Sequence, residues 1–236
     1  MDEIPKNEPY LYYTGNRVGQ PFGYVFDGFF SNADIAKLAD FPNYGYIPKA
    51  GDCKYVDLNN DGKITTDDQK AIGYPDYPEV NFSLSGGFSY KGFDFSMMWT
   101  GVTNVSRLLN DTWRVAYGST QNRALLQWLA DNSWTPETAN TALAPRISFT
   151  STNNNTKTST LWLRDASYIR LKNVEIGYSF ANATLKKVGI SNVRIYTNGY
   201  NLLTFDKLKF MDPESRTSTP DYPLTTIYNF GLNVNF

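Results

Sequence analysis

An acidic loop at residues 57–68, with the sequence DLNNDGKITTDD, contains the side chains of this chain best suited to chemistry. Its oxygen-bearing residues follow the spacing of a twelve-residue calcium loop, with a glycine at the sixth position, where the backbone turns sharply. Asp at the twelfth position is shorter than the usual Glu. The predicted ligands are the side chains of Asp57, Asn59, Asp61 and Asp68 and the carbonyl oxygen of Lys63. The alternative is a turn stabilised by side-chain-to-backbone hydrogen bonds. A bound Ca²⁺ would be structural and would brace the loop.

Other classes of chemical site find little support in the composition. The chain contains no histidine, which excludes Ser-His-Asp and Cys-His catalysis and histidine-ligated zinc. The single cysteine, Cys53, cannot form an internal disulfide and is predicted to be buried. Pairs of carboxylates such as Asp165 and Glu175, or Asp67 and Asp68, could in principle serve a glycosidase, but sequence spacing does not establish the separation that this reaction needs. We therefore predict that the chain is not an enzyme.

The overall composition indicates strands whose two faces differ. The chain has 236 residues and a formal net charge of -1, with no basic run, so nucleic acid is not an expected partner. Aromatic residues make up 16% of the chain, yet the mean hydropathy is -0.43. No run of 18 or more apolar residues is present, so no transmembrane helix is predicted.

The last stretch of the chain, YNFGLNVNF at 228–236, alternates apolar and polar residues and predicts a strand with one face of each kind. A hairpin is predicted where residues 82–90 and 93–100 alternate in the same way on either side of Lys91-Gly92. Further strands are predicted at Tyr10–Thr14, Tyr168–Phe180 and Val193–Phe205, and short helices at 31–38 and Gln121–Asn132. Alternation is imperfect in the first half of 168–180 and within 193–205.

Short and long connections alternate between these strands. The short ones are Lys91-Gly92 and 181–192, and the long ones are 24–79, 104–166 and 206–226. Outer-membrane barrels have this asymmetry, with short periplasmic turns and long extracellular loops. About six strands are counted, fewer than the eight or so that a bacterial barrel needs. We therefore expect this chain to be part of a longer protein, with other strands pairing at its edges.

The order of these segments resembles one known family. The segments are VGQPFGYVFDGFF (18–30), DLNNDGKITTDD (57–68), PEVNFSLSGGFSYKGFDFSMMWTGV (78–102), SYIRLKNVEIGYSF (167–180), LKKVGISNVRIYTNGYNLLTF (185–205) and YNFGLNVNF (228–236). In this succession they resemble the C-terminal portion of SusC/RagA-type TonB-dependent outer-membrane transporters, from about Val18 to Phe236.

The resemblance implies an all-β fold: the last strands of a 22-stranded antiparallel transmembrane barrel, with 24–79 and 104–166 as long extracellular loops. It implies import of oligosaccharides or peptides across the bacterial outer membrane, beneath a SusD-like surface lipoprotein and driven by TonB. The implied partners are therefore the lipoprotein, the remainder of the barrel with its plug, TonB acting through that plug, outer-membrane lipid and the substrate. The signal peptide, TonB box, plug and earlier strands of a complete member are not in this sequence.

The family context suggests roles for several rings. Trp113, Trp128, Trp134 and Trp162 are candidates for contact with the substrate or with the lid protein, and packing of the segment on itself is the alternative. Tyr228, Phe230 and the terminal Phe236 match the aromatic C-terminal signal that barrel-assembly machinery recognises in this family.

The alternative to an importer segment is a soluble, calcium-braced β-sandwich that binds carbohydrate. The two interpretations differ in where the rings point. A sandwich would bury Phe93, Phe95, Met97 and Trp99 in a dry core, whereas a barrel exposes them to lipid or detergent.

Overall fold

The structure is a computed structural model that describes residues 3–109, 111–116, 124–148, 154–180, 189–215 and 222–236. The strands are β1 Phe22–Tyr24, β2 Phe26–Phe29, β3 Cys53–Tyr55, β4 Gln69–Ala71, β5 Val80–Tyr90, β6 Phe93–Thr103, β7 Ser106–Leu108, β8 Leu163–Asp165, β9 Tyr168–Phe180, β10 Asn192–Asp206 and β11 Ile227–Asn235. The α-helices are α1 Asn32–Ala36, α2 Asp111–Arg114 and α3 Gln127–Asn132. Short 3₁₀ helices lie at Pro9–Leu11, Leu38–Asp40 and Thr66–Asp68. Among the residues described, no helix is both long and apolar enough to cross a membrane.

The described residues separate into two compact units. The sheet unit contains Pro78–Asn104, Ala166–Glu214 and Tyr222–Phe236. The loop unit contains the residues up to Tyr77, those of Val105–Asp165, and Ser215. The predicted long connections 24–79 and 104–166 therefore fall almost entirely in the loop unit, where they fold together.

The sheet unit is built on one antiparallel sheet with the strand order β11-β10-β9-β6-β5. Its hairpin between β5 and β6 turns at Lys91 and Gly92, whose φ angles are 47° and 85°. Two consecutive residues with positive φ are typical of the tight turn that matches the twist of a two-residue hairpin. The predicted hairpin is thus confirmed.

The strand register places most apolar side chains of the five strands on one face, which we call the apolar face. For example, Phe88 pairs with Phe95, which pairs with Ile176. Rings from neighbouring strands contact one another there, as in the pair Phe88–Phe95, whose ring centroids are 5.6 Å apart. Contacts also span an intervening strand, since Trp99 of β6 stacks on Phe205 of β10 at 6.3 Å. Serine, asparagine and charged residues alternate with these positions and form the opposite, polar face.

Two irregularities interrupt the pairing of the sheet, and the one in β9 explains the imperfect alternation of that strand. Lys172 is an extra residue of β9 relative to β6, because Met98 pairs with Asn173 and Trp99 with Leu171. In β10 the register shifts again between Tyr200 and Leu203. The single extra residue of β9 restores the parity that its sequence loses, so that Leu171 and Val174 lie on the same face. The register shift in β10 spans two residues, 201 and 202, and therefore leaves its parity unchanged.

The rings of the apolar face remain accessible. Phe82, Leu84, Phe88 and Tyr90 of β5 are exposed, as are many apolar residues of β9, β10 and β11. Phe93, Phe95, Met97 and Trp99 are half-buried, and none of the four is enclosed. A sandwich would enclose them beneath a second sheet. The soluble sandwich interpretation is therefore not supported.

The loop unit has short strands but a well-formed core. It contains three two-stranded pairings, β1 with β4, β2 with β3 and β7 with β8. Its fully buried members include Phe30, Cys53, Leu109 and Trp162. The burial of Cys53 confirms the sequence-based prediction, and this burial raises the pKa of its thiol. The segments predicted as loops are thus held together by a shared core.

Several predicted elements are shorter or different. Tyr10–Thr14 is not a strand: a 3₁₀ turn occupies Pro9–Leu11, with proline at its first position, which suits the start of a helical turn. The predicted helix Gln121–Asn132 is observed only at Gln127–Asn132, and 121–123 lie outside the described residues. Parts of the predicted connections 181–192 and 206–226 also lie outside them, namely 181–188 and 216–221. The predicted helix at 31–38 is confirmed in its main part, with Ser31 as a capping residue.

Candidate functional site

A chain of polar contacts runs across the polar face of the sheet. Arg194 of β10 reaches over β9 to form ion pairs with Asp94 of β6 and with Glu175 of β9. The contact between Arg194 and Glu175 is 2.7 Å. Glu175 also accepts a hydrogen bond of 3.2 Å from Asn198, whose side chain accepts one of 2.9 Å from Asn229 of β11. Four neighbouring strands are therefore cross-linked on this face.

Gly177 makes the passage of Arg194 across β9 possible. A Cβ atom at Gly177 would lie 2.5 Å from Arg194 Nη2 and 2.6 Å from Asp94 Oδ2. Both separations are far shorter than van der Waals contact allows, so any larger residue here would displace the ion pair. This glycine serves close packing rather than an unusual backbone angle.

A second cluster surrounds Arg170 of β9, whose side chain is 2% exposed. Its guanidinium donates to both carboxylate oxygens of Asp212 at 2.9 and 3.0 Å and to Glu214 Oε2 at 2.8 Å. It also donates to the hydroxyl of Thr204 at 2.8 Å. Tyr168 donates a further hydrogen bond of 2.6 Å to Glu214. The segment that follows β10 is thereby fastened to the sheet.

The electrostatics of this cluster favour its ionised form. Burial acts to raise the pKa of Asp212, but hydrogen bonds from Arg170 and from two backbone N–H groups outweigh it and hold the pKa below its ordinary value of 3.8. A paired and hydrogen-bonded arginine of this kind is costly to disrupt from one side. Sequence reasoning did not single out Arg170 or Arg194; their only signal is a charge at a polar-face position of a strand.

The predicted calcium loop is a compact turn in the loop unit. Asp57 Oδ2 accepts a hydrogen bond of 2.8 Å from the N–H of Gly62, and Asp61 Oδ1 accepts one of 2.8 Å from Lys63. Both carboxylate oxygens of the fully buried Asp68 accept backbone N–H groups, those of Leu58 and Thr65. These side-chain-to-backbone hydrogen bonds are the ones expected if the loop is a stabilised turn rather than a calcium site.

One side-chain oxygen of the same loop, Oδ1 of Asp57, is not used in the hydrogen bonds of the turn. Asp57 Oδ1 is buried and accepts no hydrogen bond within the described part of the chain. A hard cation at that oxygen would satisfy it, which fits the predicted ligand Asp57. In the described ranges, however, no three acidic or cysteine side chains are grouped closely enough to hold an ion, so the structure does not bring Asp57, Asp61 and Asp68 together as a metal centre. Asn59 accepts a hydrogen bond from Asp61 N–H at 3.1 Å. Calcium binding stays a prediction.

The four candidate tryptophans belong to the loop unit and mostly pack its interior. Trp162 is fully buried and donates from its indole to the carbonyl oxygen of Asn155 at 2.8 Å. Trp113 and Trp134 are also buried, and Trp128, which is half-buried, meets Trp113 edge to face. Burial favours the packing interpretation for Trp113, Trp134 and Trp162. Contact of these rings with substrate or with the lid protein stays a prediction.

The residues of the predicted assembly signal are all accessible. Tyr228 and Phe230 lie on the apolar face of β11, at 67% and 86% exposure, and Phe236 is 89% exposed. The strand itself is confirmed at Ile227–Asn235. Recognition of these rings by an assembly machinery stays a prediction.

Comparisons with known proteins give a consistent picture. No family model matches the chain. TonB-dependent receptor P26 of Formosa agariphila is 31% identical over 199 residues, covering 79% of this chain and 20% of the receptor. TonB-dependent receptor P3 of the same organism is 28% identical over 241 residues, covering 94% and 22%. TonB-dependent receptor SusC of Bacteroides thetaiotaomicron is 27% identical over 188 residues, covering 77% and 17%.

Solved structures agree with these relatives in fold. The RagAB peptide importer in its open-open state matches 92% of this chain and 22% of the importer chain, with a TM-score of 0.64 and 20% sequence identity. This chain thus spans about a fifth of the length of the curated relatives it matches. The open sheet with its two unlike faces, together with homology along most of the chain, shows that it belongs to the SusC/RagA-type TonB-dependent receptors as a segment of their all-β, antiparallel barrel fold.

Proposed function

We propose that this chain forms part of the wall of an outer-membrane nutrient importer, with the apolar face of the sheet toward lipid and the polar face toward the lumen. The observation that carries this proposal is the apolar face itself. Its rings run in register across five hydrogen-bonded strands and remain accessible, while the opposite face carries ion pairs. Apolar-out and polar-in alternation is the arrangement by which strands cross an outer membrane.

The whole receptor supplies the other parts of the proposed function. By analogy with the family, we infer that it works with a SusD-like lipoprotein at the cell surface and with TonB, and that its substrate is an oligosaccharide or a peptide. The loop unit would then lie on the extracellular side, as long loops of these barrels do. The relatives are named as receptors, which supports a role in uptake rather than in catalysis.

Site-directed spin labelling of the full-length receptor in lipid tests the orientation. Leu84→Cys and Phe88→Cys place labels on the apolar face of β5, and Ser83→Cys and Ser85→Cys are matched controls on its polar face. Cys53 can stay in place because it is fully buried. We expect the first pair to collide with dissolved oxygen and to be protected from a water-soluble nickel chelate, relative to the serine positions. Equal chelate access at all four positions would contradict the proposal.

Calcium in the loop at 57–68 is a separate proposal. It is supported by the loop spacing and by the buried, unpartnered Oδ1 of Asp57. If bound, the ion would be held by oxygens of Asp57, Asn59, Asp61 and Asp68 and the carbonyl of Lys63, and would stabilise the loop unit. The side chains would have to turn from their backbone partners, since their present hydrogen bonds use several of these oxygens.

A further inference from the structure

A cavity of about 300 Å³ opens in the loop unit, away from the calcium-like loop. The β7–β8 ribbon forms one wall, and the turn at 19–21 and the segment 74–76 form the others. The lining residues that matter are Pro21, Tyr74, Asp76, Ser106, Arg107 and Leu163. A volume of about 300 Å³ lies at the small end of the range for ligand sites, which suits one ring rather than an extended chain.

The walls of this cavity are held by hydrogen bonds that do not depend on a ligand. The side-chain amide of Gln20 donates to the carbonyl oxygens of Ile72 at 2.8 Å and Gly73 at 3.0 Å. The hydroxyl of Ser106 accepts the N–H of Tyr74 at 3.0 Å. A cavity built in this way is preorganised, so that little ordering cost opposes binding.

The charges at the cavity are balanced. Arg107 is 5% exposed and forms an ion pair with Asp76. It also donates to the carbonyl oxygen of Asp76 at 2.5 Å and to that of Ser215 at 2.8 Å. Among the lining residues one carboxylate offsets one guanidinium, so the wall itself favours neither a free anion nor a free cation. The ligand that fits this balance is neutral.

Hydrogen-bond acceptors at the cavity call for a ligand with donors. The Asp76 side chain is 51% exposed, so its carboxylate retains lone pairs that can accept further bonds. Gln20 does not line the cavity, and its buried side-chain amide supports the wall through Ile72 and Gly73.

The remaining lining is apolar. Tyr74, Pro21 and Leu163 present carbon surface to the same space. The Arg17 guanidinium covers the Tyr74 ring at 4.9 Å from its centroid, which helps to fix the ring in place. An aromatic ring beside paired planar polar groups suits a molecule whose faces are C–H surface and whose rim carries hydroxyl groups.

We propose that this cavity binds one neutral, hydroxyl-bearing ring, that is, a single sugar unit. Its C–H face packs on Tyr74, and its hydroxyls donate to Asp76 and accept from Arg107. The inference deepens the proposed importer function, on which it rests for its biological meaning, by naming a substrate class and a contact site. Peptide binding at this cavity is the competing outcome.

Saturation-transfer NMR on the purified full-length receptor tests the site. The probes are a mixture of methyl glycosides of glucose, galactose, mannose and xylose, with trialanine as the peptide probe. We expect transfer to at least one glycoside, a loss of affinity of about tenfold in Tyr74→Ala, and a similar loss in Asp76→Asn. Tyr77→Ala is the matched control, because Tyr77 is 66% exposed and does not line the cavity.

The possible results separate clearly. No transfer to any glycoside, equal transfer in Tyr74→Ala and the wild type, or transfer to trialanine alone would each overturn the proposal. A variant that fails to fold is identified by loss of its folded band in unheated gel electrophoresis, and Asp76→Asn, which keeps the size of the side chain, then decides. Sugar binding and the spin-label result are independent of each other. A negative NMR result would leave the proposed membrane orientation standing, and a negative spin-label result would leave the proposed sugar site standing.

Discussion

Replacing Arg170 with alanine removes the side chain that fastens the segment after β10 to the polar face. The guanidinium is 2% exposed, and its partners Asp212 and Glu214 have side chains only 10% and 26% exposed. Removing one side of such a buried, hydrogen-bonded network leaves carboxylates without their counter-charge. We expect a loss of about 3–5 kcal/mol in the free energy of unfolding. Lys172→Ala is the control: its contact with Glu214 is 3.4 Å long and its side chain is 39% exposed, so we expect a loss under about 1 kcal/mol.

Two readouts on the full-length receptor check this prediction. Urea titration in detergent, followed by the change in gel mobility between folded and unfolded barrel, compares global stability. Limited trypsin digestion reports locally, because Lys207 and Lys209 lie in the fastened segment. We expect faster cleavage there in Arg170→Ala than in Lys172→Ala. If the two variants unfold at the same urea concentration and are cleaved at the same rate, the assigned role of Arg170 is wrong.

Four further predictions concern single residues. Asp212→Asn should destabilise the receptor at neutral pH, because a carboxyl whose pKa is lowered by folding contributes stability only while it is ionised. The difference in stability from the wild type should shrink as the pH falls through the folded-state pKa of Asp212, which lies below 3.8. Unfolding midpoints of both proteins at several pH values measure this difference. Gly177→Ala should cost under about 1 kcal/mol, because it displaces the flexible ends of a partly exposed ion pair, and it should add little to Arg194→Ala in a double-mutant cycle. Calorimetric titration should detect Ca²⁺ binding that Asp57→Ala abolishes, and flat traces for both would remove the metal. Deleting Phe236 should lower the amount of receptor in the outer membrane, and unchanged amounts by fractionation would argue against an assembly role.

Local patterns were sufficient to predict the strands of the sheet unit. Alternation is a property of neighbouring residues, and the Lys91-Gly92 turn carries its own backbone preference, so the hairpin follows from about twenty residues of sequence. The strands β9, β10 and β11 were located to within one residue at each end. The same alternation also predicts that the apolar face is exposed, because the resemblance to outer-membrane barrels places that face toward lipid.

The loop unit could not be predicted in this way, because distant segments complete one another there. Asn155 accepts the N–H of Cys53 at 2.9 Å and donates to the buried Asp52 at 2.9 Å, across about a hundred residues of chain. No periodicity marks such contacts. The same is true of Arg170, whose carboxylate partners come from a segment about forty residues away.

The bulges at Lys172 and at 201–202 have a consequence for how this wall tolerates change. At the same level of the sheet, β9 has one residue more than β6, and β10 has one more than β9. The register shifts at Lys172 and at 201–202 therefore form a line across the sheet, which we call the crease. The strand pairing on each side of the crease keeps its own register. An insertion or deletion of one residue at this crease would be absorbed locally, whereas the same change elsewhere in β9 would turn half the strand inside out. Natural length variation among relatives is therefore expected to concentrate along this line.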